Sequence, residues 1–398
     1  MVRIAVFVSH PIQYFAPWYR AASALTGINL KVFYCSRMGA ESYYDPAFQT
    51  QVKWDIPLLD GYEWEVLVAR KEIKQSNFIE VDNPRVGSAL EAFTPDVVLV
   101  HGYAHRTMWR VAAWCRRNSV PLMISSDSNV KATSSVWKRA AKTVIVSRFY
   151  DYLDAAFSCG DNNRLYHMKY GMPCDRIFPG ALPVDCKRLL ESVGDAAAAR
   201  LEVRRKHGIP EGAFVVMYAG KLIPLKCTSH LLDAIGRCRQ HGVEVWGILV
   251  GEGIERPKLE KQLARQHIRT VVMTGFVNQS RIGSYYAASD AIALMSSYEP
   301  KGLTVPEAGC FGRPAILSDR VGCVGPLDSA RQGENAMVYP WSDTRAMADC
   351  IIRLHNDSTL LDAMSEKARR IALSQDVQKV AVQFAEAATV LKEIGCRS

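Results

Sequence analysis

Residues 291–310 read AIALMSSYEPKGLTVPEAGC. Ala291 to Met295 is a short, continuous apolar run, the pattern of a strand buried on both faces. A loop crosses Glu299 to Gly302, and a helix opens near Thr304. Strand, loop and helix recur in this order along the chain. Arg3 to Val8, Leu30 to Tyr34, Val97 to His101, Leu122 to Ser125 and Ala156 to Cys159 read as buried strands, with helical patterns such as His105 to Asn118 and Ser134 to Leu153 between them. The alternation breaks between Ala181 and Gly212, a segment with Pro183, a charged helix (Ala196 to His207) and the breakers Pro210 and Gly212. It then restarts: Phe214 to Tyr218, Val245 to Val250, Thr270 to Thr274, Ala291 to Met295, Ala315 to Leu317 and Ala336 to Tyr339. Alternating strands and helices make parallel sheets covered on both faces. The expected fold is therefore α/β, with two doubly wound, Rossmann-like domains facing a cleft. The expected divisions are 1–185, a linker 186–212, 213–375, and a terminal helix 376–398 that returns to the first domain.

Composition agrees with two globular domains. The 398 residues exceed what one core comfortably holds, 48% of them are hydrophobic, and no solenoid repeat or low-complexity tract is present. MVRIAVFVSHPIQYF reads as a first strand rather than a signal peptide, because no small-residue cleavage site follows the apolar run. No run of 18 apolar residues occurs. The 11 cysteines are scattered without CxxC pairs, which points to reduced thiols and a cytoplasmic location rather than a disulfide framework or zinc site.

The net charge of +9 is concentrated: residues 105–148 hold nine Lys or Arg against the single acid Asp127, and also Trp109, Trp114 and Trp137. Two readings stand. The residues are solvated helix faces, or they form a surface for an anionic partner such as lipid head groups, a lipid-diphosphate acceptor or nucleic acid. Within the stretch, Lys138 and Lys142 lie one helical turn apart with Trp137 and Arg139 beside them, a candidate contact with the inner face of a cell membrane.

In open α/β sheets ligands bind beyond the carboxyl ends of the strands, so the loop 299–302 is the first place to look for chemistry. Gly302 permits close backbone approach, and the helix start offers N–H donors and a positive dipole end suited to a diphosphate. Glu299 and Glu307 would repel phosphate. They make sense as acceptors for hydroxyls on either side, one on a sugar and one on a ribose.

This spacing matches the Glu-x7-Glu pattern of glycosyltransferase family 4, the retaining "glycosyl transferases group 1" of GT-B fold, and the chain resembles that family over nearly its whole length. FGRPAILSD (Phe311 to Asp319), YAGKLIPLKC (Tyr218 to Cys227), YHMKYGMPCDRIFPGALPVD (Tyr166 to Asp185) and the GEG turn (Gly251 to Gly253) carry the likeness in order. The resemblance implies that Glu299 binds donor-sugar hydroxyls, Glu307 the ribose, and Lys226 the diphosphate. Lys221 stands where the family usually has Arg, so the bidentate fork is lost. Cys227 replaces a usual Gly. Gly220, Lys301, Gly302, Leu303 and Thr304 would also line the donor, and Gly275, Phe276 and Val277 would lie beside the base.

The first domain is implied to bind the acceptor. His10 and Gln13 follow the first strand where the family often has a glycine-rich loop, and three readings stand for them: contact with the donor phosphate, contact with the acceptor, or a plain structural turn. Asp127 stands where many members carry a histidine near the reacting carbon, and His101 is a second candidate, against its reading as a core histidine. No D-x-D pair occurs, so no bridging metal and no cofactor are expected beyond the nucleoside diphosphate sugar as co-substrate. The implied activity is hexosyl transfer to a glycan or lipid-linked acceptor in cell-surface polysaccharide or glycolipid synthesis. The alternatives are a nucleotide-sugar epimerase on the same fold and a non-catalytic nucleic-acid-binding protein; no nucleic acid is expected as partner under the first reading.

Overall fold

The computed structural model describes all residues except 72, 74, 75, 132–135 and 398, and leaves the side chains of 136–141 outside the description. The chain forms two compact units: Met1–Ser42, Ile56–Pro183 and Val377–Ser398 make the first, and Tyr43–Asp55 with Val184–Asp376 make the second. The strands are β1 Val2–Val8, β2 Ile28–Tyr34, β3 Tyr43–Asp45, β4 Thr50–Val52, β5 Glu63–Val66, β6 Val97–His101, β7 Leu122–Ser125, β8 Ala155–Ser158, β9 Ile177–Pro179, β10 Phe214–Ala219, β11 Val245–Val250, β12 Val271–Gly275, β13 Ala291–Leu294, β14 Ala315–Ser318 and β15 Ala336–Tyr339.

In the first unit seven strands run in the order β5-β2-β1-β6-β7-β8-β9, all parallel. Their side chains feed a core on each face: Phe7, Phe33, Val98 and Ile124 on one, Val6, Val32, Leu99 and Met123 on the other. This two-sided burial is why these strands read as unbroken apolar runs. The helix Val377–Ile394 covers the second face with Val380, Phe384 and Leu391, and Trp18 meets Phe384 edge-on at 5.0 Å. The strand order reverses between β1 and β6, so the crevice of this sheet opens beyond Val8 and His101.

The second unit has six parallel strands in the order β12-β11-β10-β13-β14-β15, around one continuous core. Its reversal lies between β10 and β13. The unit begins earlier than the sequence suggested. Helices Cys186–Val193 and Ala196–Lys206 are part of it rather than a separate linker. The buried Arg204 explains why: its guanidinium donates to the carbonyls of Glu211 (2.6 Å), Ala213 (2.8 Å) and Ala288 (3.0 Å), and pairs with Asp290 at 2.9 Å. A second addition is the antiparallel hairpin of β3 and β4, which the sequence reading left inside the first domain.

Candidate functional site

The second unit gathers most of the expected donor residues at its strand reversal. Gly220 and Lys221 leave β10, and a short 3-10 turn, Pro224–Lys226, follows. The loop after β13 is tied to this turn: Ser297 donates its backbone N–H (2.9 Å) and hydroxyl (3.2 Å) to the Leu225 carbonyl. That tie brings Glu299 against Lys226, whose ammonium hydrogen-bonds the Glu299 carboxylate. The Glu299 carbonyl accepts from Gly322 N–H at 2.8 Å, fixing the loop from its other side. Gly302 has φ +62°, and a Cβ there would come within 2.8 Å of Leu294 Cδ1, so only glycine lets this loop return over β13. The Gly251 to Gly253 turn lies against the same place; a Cβ on Gly251 would sit 1.9 Å from the Gly220 carbonyl oxygen.

Glu307 lies in the short helix Thr304–Cys310 and is buried, accepting the Tyr286 hydroxyl at 2.6 Å. Burial pushes its carboxyl up to about 7, although the Tyr286 hydrogen bond and Arg188 pull the other way. Lys301 departs from expectation. Its side chain is turned inward and paired with the buried Asp328, so its ammonium is part of the loop's internal framework, not a group presented to a donor phosphate. Leu303 is the N-cap residue of the helix and offers no side-chain cap. Thr304 Oγ1 is buried without a hydrogen-bond partner among the described residues. Gly275 accepts from Gly251 N–H at 2.9 Å, and Val277 packs on the core.

The hairpin supplies groups the sequence reading missed. Asp45 takes the Lys221 ammonium on both oxygens, at 3.2 and 3.0 Å, and Phe48 lies under the same ammonium at 4.8 Å. Burial acts to raise Asp45, but the hydrogen bonds from Lys221, Phe48 N–H and Ala47 N–H outweigh it and hold the carboxyl below its usual value. Phe48 and Trp54 both approach Phe276, at 5.3 and 6.1 Å between ring centres. No sequence signal links Asp45 to a lysine that lies 176 residues away.

In the first unit, His10 sits at the end of β1 with Nδ1 2.8 Å from Ser9 Oγ. Burial, and secondarily His105, lowers its pKa to about 4, so it is neutral at physiological pH. Gln13 is half-buried in the following turn. His101 is half-buried at the end of β6: it is stacked on Phe15 at 4.3 Å, lies 2.8 Å from Tyr19 Oη, and is lowered by desolvation to about 3. Asp127 is exposed beyond β7. Lys142 is exposed on the helix Val136–Tyr150, with its ammonium 5.5 Å from the Tyr166 ring centre. The side chains of Trp137, Lys138 and Arg139 lie outside the described residues. Among the described residues no three His, Cys, Asp or Glu side chains converge on a place for a metal ion.

The whole chain superposes on glycosyltransferases of GT-B architecture; for Anabaena HepE in complex with UDP the TM-score is 0.74 at 18% identity, covering 98% of this chain and all of that one. Sequence comparison adds that residues 199–371 match the model of the glycosyl transferases group 1. Alpha-D-kanosaminyltransferase of Streptomyces kanamyceticus is 30% identical over 175 residues, 44% of each chain. D-inositol 3-phosphate glycosyltransferase of Salinispora arenicola is 30% identical over 200 residues, 48% of this chain and 44% of the relative. The matched stretches thus span less than half the length of these curated relatives.

Proposed function

We propose that the chain is a retaining hexosyltransferase of glycosyltransferase family 4. It moves a sugar from a nucleoside diphosphate sugar to a glycan or lipid-linked acceptor in polysaccharide or glycolipid synthesis. The observation that carries this is the meeting of Glu299 and Lys226 at the strand reversal of the unit that matches the family model. In this reading Glu299 accepts hydrogen bonds from donor-sugar hydroxyls. Lys226 and Lys221, with the backbone N–H groups of Gly302 to Thr304, neutralise the diphosphate. Glu307 lies next to the ribose, and Phe276 borders the base. As the glycosidic bond breaks, negative charge grows on the leaving phosphate, and preorganised lysines lower the barrier most at that moment. The acceptor hydroxyl attacks from the face the phosphate leaves, and the phosphate takes its proton. The lysines stand in for a bridging cation, in keeping with the lack of a D-x-D pair. Anabaena HepE, which shares this fold, is known in complex with UDP and with UDP-glucose, which supports a nucleotide-sugar donor here.

Thermal-shift screening against UDP-, GDP- and ADP-sugars tests the donor half of the proposal, since a ligand of the native state raises its melting point. One nucleotide sugar should shift the transition, and Lys226→Ala should lower turnover more than it weakens nucleotide binding. No shift with any of them would overturn the reading.

The basic stretch supports a peripheral membrane role. On the helix Val136–Tyr150 the exposed Lys142 and Arg148 flank Val144 and Ile145, which are 71% and 54% exposed. No helix among the described residues is long and apolar enough to cross a membrane, so the contact would be peripheral.

A further inference from the structure

The first unit holds a charge cluster that the donor chemistry does not use. Asp82 is buried, and three guanidinium groups converge on it. Arg110 takes both carboxylate oxygens, at 2.5 and 3.2 Å. Arg106 and Arg70 stand at 3.7 and 3.8 Å from the same Oδ2, beyond hydrogen-bonding length. The Arg110 hydrogen bond is the main cause that keeps the Asp82 carboxyl below its usual value. One carboxylate therefore answers three cations, and among the described residues none of the three pairs with another acid.

The excess is placed where it costs most. Arg106 is the first residue of the helix Arg106–Asn118, Arg110 lies one turn on, and that first turn contains no acid. A helix N-terminus already carries positive potential, so cations are disfavoured there unless an anion arrives. His105, the N-cap residue, is 9% exposed; its Nε2 lies 2.9 Å from Ser76 Oγ, while its buried Nδ1 has no hydrogen-bond partner among the described residues.

The cluster is also held rigidly. Asn83 donates to the Cys35 and Leu67 carbonyls at 3.2 and 3.1 Å, pinning the loop before it to the carboxyl ends of β2 and β5. Thr107 Oγ1 donates to Asn83 Oδ1 (2.8 Å), and Arg70 N–H donates to the Asp82 carbonyl (2.8 Å). The Arg70 and Arg106 side chains stay 67% and 48% exposed, so their planar forks reach solvent from a fixed base. Two such forks match the oxygens of a phosphate group better than point charges would.

We propose that Arg70, Arg106 and Arg110 form a binding site for a phosphate group, and that this phosphate belongs to the acceptor. The second clause rests on the transferase reading above; the anion site does not. Arg110 anchors the site on Asp82, while Arg106 and Arg70 bind the phosphate oxygens. The shared chemistry is a phosphate ester, carried by a soluble sugar or polyol or by a lipid.

Equilibrium dialysis of the full chain against labelled inorganic phosphate at low ionic strength tests the site without donor or turnover. The donor lysines are first removed by Lys221→Gln and Lys226→Gln, so that phosphate held there does not contribute. This parent should bind phosphate saturably. Adding Arg70→Gln and Arg106→Gln should weaken binding about tenfold or more, since charge-assisted hydrogen bonds are lost. Arg106→Lys, which keeps the charge but not the fork, should fall between. Equal binding by parent and arginine variant, or no saturable binding by the parent, overturns the site. If the lysine variant lacks a native melting transition, the comparison is made with both lysines present; two phosphate sites should resolve, one vanishing with the arginines, and a single unaffected site overturns the proposal. Sedimentation with phosphatidylcholine vesicles containing phosphatidylglycerol separates the two sources. Vesicle binding lost along with phosphate binding supports a lipid-borne phosphate, and unchanged vesicle binding supports a soluble one. Vesicle binding lost while phosphate binding is unchanged overturns the discrete site.

Discussion

Glu299 and Glu307 share one motif yet meet different surroundings, and their variants should differ accordingly. Glu299 is held by Lys226, and its loop is fixed by backbone bonds, Ser297 N–H to the Leu225 carbonyl and Gly322 N–H to the Glu299 carbonyl, that a side-chain change leaves intact. Glu299→Ala should therefore cut transfer on the order of 100-fold, as loss of donor positioning does, with little change in melting temperature. Near-normal turnover by a folded variant would remove Glu299 from the donor site. Glu307 carries the opposite signature. Its folded carboxyl sits at about 7 against an ordinary 4.5, so between these values the native state holds a proton that the unfolded chain has lost. Stability from this group is thus fully present below 4.5 and falls as pH rises through 7, by on the order of 3 kcal/mol above it. Glu307→Gln keeps an acceptor for the Tyr286 hydroxyl and removes the charge. It should raise the melting temperature at about pH 8 and flatten the fall with pH. Parallel melting curves for the two proteins across that range would show that Glu307 ionises without penalty.

At the level of elements, the interior strands were legible in the sequence, and the edges of the first sheet were not. β6, β7 and β11, all interior, follow the apolar runs residue for residue, because burial on both faces leaves few polar positions to blur them. β5 reads Glu-Trp-Glu-Val; it is an edge strand whose Glu63 and Glu65 pair with Lys31 at 3.2 and 3.0 Å, so tertiary charge pairing replaces periodicity. β9, the other edge, ends in proline. The hairpin of β3 and β4 has three residues a side and buries a single aliphatic side chain, Val52; Asp45, Phe48 and Trp54 hold it to loops of the second unit. Lys226 and Glu299 could be found because a spaced motif carries them; Asp45 could not, because only folding brings it to Lys221. That contact has a consequence for binding. Asp45 occupies the ammonium proposed to meet the diphosphate, so donor and hairpin carboxylate compete for it. Asp45→Asn should tighten binding of the nucleoside diphosphate by roughly two- to fivefold, the scale of a part-exposed ion pair. Calorimetric titration reads this directly. Weaker binding by the variant would mean that the carboxylate instead holds Lys221 in its working position.

For the molecule as a whole, two doubly wound sheets and a terminal helix on the first were legible because each repeats a pattern along the chain. The unit boundary was misplaced because two helices that read as a linker join the second unit, one through Arg204 and the other through Cys186 and Leu189 in its core. The charge distribution is the other whole-chain property the sequence displays, and it bears on where the protein works. With nine Lys or Arg between 105 and 148 and a net charge of +9, the first unit carries most of the excess. Two uses of that charge are separable. The arginines around Asp82 are fixed and point to a discrete anion, whereas the helix Val136–Tyr150 combines exposed Lys142 and Arg148 with exposed Val144 and Ile145, a mixture suited to an anionic lipid surface. Each basic residue near such a surface contributes about 1 kcal/mol, and the two apolar side chains add affinity that salt does not screen. The protein should sediment with anionic but not zwitterionic vesicles, less so as salt rises. Lys142→Glu with Val144→Ser and Ile145→Ser replaces only exposed side chains, so the fold and nucleotide binding should persist while vesicle binding falls. If the triple variant sediments as the parent does, this helix only solvates the first unit.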